Sequence, residues 1–134
     1  MIQNEHDGVL TGALAEIMRH LKFRPYDGIA DDVEGALQGA ADAFVDKLAR
    51  HLRHEEEVLF PAIRAAVPDA SGPIERLEEE HRLLRVYATE LAYRIKEKDQ
   101  EGAYEVSRSF LAALFDHIDR ERKIVDERLG ALKA

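Results

Sequence analysis

Four stretches of this sequence repeat apolar residues at alternating spacings of three and four, and each repeat runs through histidine or glutamate as if these too were apolar. That spacing marks one face of an α-helix. Segment A (about residues 4–22) carries Leu10, Ala13 and Ile17, with His6 at its start and His20 near its end. Segment B (about 32–66) carries Leu37, Ala41, Phe44 and Leu48, then His51 and Glu55, then Val58 and Ala62. Segment C (about 73–97) carries Ile74, Leu77, His81, Leu84, Ala88, Leu91 and Ile95. Segment D (about 101–132) carries Ala103, Phe110, Leu114, His117, Glu121 and Ile124.

Helix breakers separate the segments at Phe23–Gly28, at Val67–Pro73 and, more weakly, at Lys98–Gly102. Asn4 with Asp7 reads as a cap for segment A, and Pro73 suits the first turn of segment C. Pro61, inside segment B, is expected to kink that helix or begin an irregular end. Four helices on short loops pack most simply as an all-α, up-down-up-down four-helix bundle. With no repeat and no linker, residues 1–134 read as a single domain.

Composition narrows the function classes. There is no cysteine, which removes disulfides, thiolate metal sites and cysteine nucleophiles together. A net charge of −8 repels phosphate backbones, so nucleic acid is not an expected partner. No apolar run approaches the roughly 18 residues that cross a bilayer, and the first residues lack the pattern of a secretory signal. The expectation is a cytoplasmic protein without membrane contact.

The polar residues in the apolar rows need explaining. A single inward histidine is usually a hydrogen-bonded core residue, but an unpartnered buried carboxylate costs several kcal/mol. Two carboxylates fall in these rows, each four residues after a histidine, in His51-x-x-x-Glu55 and His117-x-x-x-Glu121. That spacing puts imidazole and carboxylate one turn apart on one face. At about 1.5 Å of rise per residue, His6, His51, His81 and His117 lie within about one turn of a common level along the bundle. His20, at the opposite end, and His54, rotated about 60° off the row, do not join them. Phase and level therefore select the same six residues: His6, His51, Glu55, His81, His117 and Glu121. A bound cation compensates all of them at once.

Six such donors exceed one tetrahedral zinc, and calcium or magnesium needs no imidazoles. Mixed imidazole and carboxylate suits iron, manganese or zinc. Glutamates on two different helices are placed to bridge a metal pair. The expected cofactor is two iron ions with an oxo or hydroxo bridge, with manganese or zinc behind it.

The stretch His51-Leu-Arg-His-Glu55-Glu-Glu-Val-Leu-Phe-Pro61, with Glu80-His81 and His117-x-x-x-Glu121, resembles the hemerythrin-like, HHE cation-binding family over essentially the whole chain. The resemblance implies a four-helix bundle around a non-haem di-iron centre. It implies His6 as the first-helix ligand, His51 and His117 as terminal ligands, Glu55 and Glu121 as bridging carboxylates and His81 as the third-helix ligand. The sequence departs from the oxygen-carrying hemerythrins in two places. Arg85 stands where they have a second third-helix histidine, and Glu121 stands four residues after His117 where they have an aspartate at five.

The expected function is a di-iron protein that binds or senses dioxygen, nitric oxide or iron. One alternative is a di-iron oxidoreductase acting on peroxide or nitric oxide. Catalysis calls for a proton donor, and Tyr26, Tyr87, Tyr93 and Tyr104 lie off the metal rows, which favours binding. The other alternative is a metal-free helical interaction module.

Overall fold

A computed structural model describes the backbone of residues 2–22 and 31–133 and the side chains of residues 8–21 and 35–127. The chain forms α1 (Ile2–Lys22), α2 (Asp31–His54), a π-helical turn (Glu55–Leu59), α3 (Phe60–Ala66), a 3-10 turn (Pro68–Ala70), α4 (Ser71–Lys96) and α5 (Gln100–Lys133). The four long helices pack in a ring, α1 against α2, α2 against α4, α4 against α5 and α5 against α1. This is the four-helix bundle that the apolar rows predict. α1 begins at Ile2, so Asn4 lies within it and is not the cap expected from the sequence.

The α4–α5 corner is closed by backbone chemistry. Asp99 N–H donates to Arg94 O at 2.9 Å and Lys98 N–H to Ile95 O at 3.1 Å, the pair of bonds that ends a helix on a left-handed residue. That residue is Lys98, at φ 61°. Asp99 then caps α5 by accepting from Gly102 N–H at 2.9 Å. A Cβ at Gly102 would lie 2.1 Å from the Asp99 carboxylate, so glycine keeps the cap in place. Gln100 donates to the Leu21 carbonyl at 2.7 Å, fastening the start of α5 to the end of α1.

The inward faces are those of the apolar rows, except that Leu14 rather than the half-buried Ala13 fills the row of α1 and that the row of segment B is displaced. Leu10, Ile17, Leu37, Ala41, Phe44 and Leu48 are buried, as are the whole predicted row of α4 and Ala103, Phe110 and Leu114 of α5. Past Glu55 the row slips. Val58 is 53% exposed, while Phe60 and Ile63 are buried. Phe60 N–H reaches back five residues to Glu55 O. That wider turn inserts one residue into the helical phase. Pro61 supplies the cause: it has no N–H, and its ring crowds the carbonyl four residues earlier in a regular helix. Val58 and Ala62 are thus corrected from core to surface.

The core comes in two apolar clusters. The larger includes Leu14, Phe44, Leu52, Leu84, Phe110 and Ile118. The smaller contains Phe60, Ile63, Ala70, Ile74 and Leu77, with Ile124 and Val125 packed on it. In sequence, Glu55 lies between Leu52 and Phe60, His81 between Leu77 and Leu84, and Glu121 between Ile118 and Ile124. A polar layer therefore crosses the bundle between two apolar ones.

Candidate metal centre

Four side chains fill the polar layer. Glu55, His81, His117 and Glu121 are all buried. One ligating atom from each lies within 4.8 Å of every other. His81 Nε2 is 3.0 Å from Glu55 Oε1, and His117 Nε2 is 3.2 Å from Glu121 Oε2. The two Nε2 atoms are 3.2 Å apart. His51, one turn before Glu55, approaches from the other side, with Nε2 3.4 Å from Glu55 Oε2. The two oxygens of Glu55 therefore face different histidines. Phe60 walls the group, its ring centroid 5.4 Å from that of His81.

Each buried imidazole is held from behind. His81 Nδ1 lies 2.6 Å from Glu56 Oε2, and Arg85 grips Glu56 with two bonds of 2.9 Å. His117 Nδ1 lies 2.9 Å from Glu80 Oε1, and Arg120 Nε donates to Glu80 Oε2 at 2.5 Å. A carboxylate already paired with arginine only accepts, so each Nδ1 carries the hydrogen. In the neutral ring, Nε2 is then a bare lone pair. Without the protons that His117 and Glu121 hold in the metal-free chain, two such lone pairs and two carboxylates face one space, and all of them are acceptors. A cation fits that donor set, and ligating histidines are commonly backed by carboxylates in this way. The buried Glu/His/His/Glu group is a candidate metal-binding site.

The electrostatics agree. Burial opposes charge on Glu55, but hydrogen bonds with His117, His51 and His81 outweigh it and hold its carboxyl far below the ordinary range. Burial also opposes charge on His117, yet its bonds to Glu121, Glu55 and Glu80 raise it to about 10. Burial pushes Glu121 up to about 8; His117 pulls it down, and the neighbouring Glu55 adds to the rise. Glu56 stays below its usual value, because Arg85 and His81 overcome its partial burial. In the metal-free chain, protons on His117 and Glu121 thus do part of the neutralising that a cation would do.

Of the six residues selected from the sequence, five come together: His51, Glu55, His81, His117 and Glu121. The sixth, His6, lies outside the residues whose side chains are described. His20 does not face inward as its row suggested; its side chain is 58% exposed, beside Glu16. His54 is exposed. Tyr87 stacks on Phe110, Tyr104 packs on the larger core cluster and Tyr93 faces solvent; Tyr26 lies outside the described residues. Sequence reasoning missed the parts played by Glu56, Glu80 and Arg120. A signal was available: an arginine follows His81 by four residues and His117 by three, on the face that reaches the glutamate behind each ring.

The family model of the hemerythrin HHE cation binding domain matches residues 2–129. No curated protein and no solved structure matches the chain. Among the described residues, no helix is long and apolar enough to cross a membrane.

Proposed function

The chain belongs to the hemerythrin HHE cation-binding family, and from that premise we propose that it is a non-haem di-iron protein that binds or senses dioxygen or nitric oxide. The observation that carries this reading is the buried group of Glu55, His81, His117 and Glu121, with their ligating atoms drawn together between two apolar layers. His81, His117 and Glu121 would hold one ion. His51, with His6 from α1, would hold the second, and Glu55 would serve both through its two oxygens. The group these residues would hold is two iron ions with an oxo or hydroxo bridge. When bound, it supplies two redox-active ions with a position open to a diatomic ligand.

The protein's own part is to shape that position. Glu55 and Glu121 bring negative charge that offsets half the charge of two divalent ions. The apolar layers exclude water from above and below, which strengthens every interaction between the ions and their ligands. Glu56 and Glu80 keep the Nδ1 hydrogens of His81 and His117 occupied, so that Nε2 stays available. Among the described residues, no tyrosine lines the group, which favours ligand binding over proton-coupled catalysis.

The test is an anaerobic titration of the metal-free chain with ferrous iron, followed by exposure to dioxygen or to nitric oxide. The proposal expects saturation near two ions per chain, a rise in melting temperature and new near-ultraviolet absorption on exposure. No saturation, no stabilisation and no spectral change would leave a metal-free helical module as the better reading.

A further inference from the structure

The same device stands behind both buried imidazoles. Glu56, from the π-helical turn after α2, accepts from His81 on α4. Glu80, from α4, accepts from His117 on α5. In each case the glutamate comes from the preceding long stretch of chain, and the arginine that grips it comes from the histidine's own helix, one turn further on. Arg85 and Arg120 therefore fasten neighbouring helices through the carboxylates that orient the rings.

The two glutamates need that restraint. Both are partly exposed, at 27% for the Glu56 side chain and 17% for Glu80, so each has water as a competing partner. Each is also next in sequence to a candidate ligand, Glu55 or His81. A carboxylate free to turn there would itself compete for a cation. The two-pronged Arg85–Glu56 contact fixes the plane of the carboxylate as well as its position, which a point charge does not do.

We propose that Arg85 and Arg120 are positioning residues that, by gripping Glu56 and Glu80, lock His81 and His117 in the tautomer and orientation that turn Nε2 to the metal. The inference rests on the metal reading above. It gives a defined part to Arg85, the residue that stands where the oxygen-carrying hemerythrins have a second third-helix histidine.

Zinc serves as a diamagnetic probe in the full chain. Affinity is read by competition with a chelator, and the ring nitrogens of His81 and His117 are read by nitrogen-15 resonance. In the unaltered protein both rings show a protonated Nδ1 and a metal-bound Nε2. Arg85→Ala lowers zinc affinity by about tenfold to a hundredfold and weakens the Nδ1–H signal of His81 alone; Arg120→Ala does the same for His117. Arg85→Lys recovers only part of the affinity. Arg50→Ala, which removes an exposed pair with Asp46 on α2, changes neither readout. If an alanine variant fails to fold, Arg85→Gln and Arg120→Gln replace it, since they keep much of the stem and lose the charge. Unchanged affinity and unchanged Nδ1–H signals in the variants, in a protein that binds zinc, overturn the positioning role and leave the metal reading standing. An unaltered protein that binds no zinc overturns both.

Discussion

Nε2 of His81 lies 3.2 Å from Nε2 of His117, although the two rings stand on different helices. With both Nδ1 hydrogens donated backwards to Glu56 and Glu80, neither nitrogen has a hydrogen for the other once both rings are neutral. In the metal-free chain a second proton on His117 and one on Glu121 relieve that crowding, and a cation would replace both. The bundle pins this arrangement from outside rather than letting the rings turn away, which is the expected design for atoms meant to share a cation.

Removing a carboxylate from the layer should cost metal before it costs fold. Glu55→Ala and Glu121→Ala are each expected to lower ferrous stoichiometry from two per chain to one or none. His6→Ala should also lower it, whereas His20→Ala should leave it at two, because His20 is largely exposed. Metal analysis after equilibrium dialysis measures all four. Loss of metal from His20→Ala but not His6→Ala would make His20, not His6, the ligand from α1.

The metal-free chain should lose stability as pH rises. His117 is raised from 6.5 to about 10, so its contribution is full below pH 6.5 and is lost as pH climbs through about 10. Glu121 is raised from 4.5 to about 8, so the folded chain keeps a proton that the unfolded chain sheds between those values, and folding weakens across that window. Glu55, held far below its ordinary value, contributes fully above pH 4.5 and adds no slope there. The melting temperature of the metal-free protein is therefore expected to peak in mild acid and fall towards pH 9. Metal binding should tighten over the same range, because the incoming ion displaces those protons. Calorimetry in buffers of different ionisation enthalpy would read their release. A melting temperature that rises with pH in the absence of metal would contradict the assignment.

The π-helical turn separates two predictions for neighbouring residues. Val58→Asp is expected to change stability by no more than about 0.5 kcal/mol, as exposed substitutions do. Ile63→Asp, which places a carboxylate in the smaller core cluster, is expected to cost more than about 3 kcal/mol. Urea melts of both variants decide it. The reverse order would mean that segment B continues as a regular helix with its row through Val58.

Lys98 carries a side chain where the α4–α5 corner requires a left-handed backbone, at φ 61°. Lys98→Gly is expected to stabilise the protein by about 1 kcal/mol, since that conformation costs an L-residue roughly this much and glycine nothing. Thermal melts of metal-free protein test it. No gain would mean that contacts of the lysine side chain offset the strain.

Much of this was legible in the sequence because two signals coincided. The spacing of Leu77, His81 and Leu84 fixed the phase of α4, and counting residues from the loops brought His51, His81 and His117 to one level. Neither signal reports on an extra residue in a turn, so the row through Glu55 ran on to Val58 although Pro61 marked the irregularity. Nor does periodicity show which exposed charges reach across to another helix. Glu56 and Arg120 look like solvated residues one by one, and only the packing of α2 on α4 and of α4 on α5 reveals what they hold. His20 differs for a simpler reason: Leu10, Leu14, Ile17 and Leu21 form the buried row of α1, and His20 stands one position off it.

Anomalous scattering at the iron edge, on crystals of the full chain grown with ferrous iron, asks most directly whether this interior exists to hold cations. Two peaks are predicted, one among His81, His117 and Glu121 and one beside His51, with Glu55 between them. An interior without anomalous peaks, its layer occupied by water and the imidazoles turned apart, would contradict it.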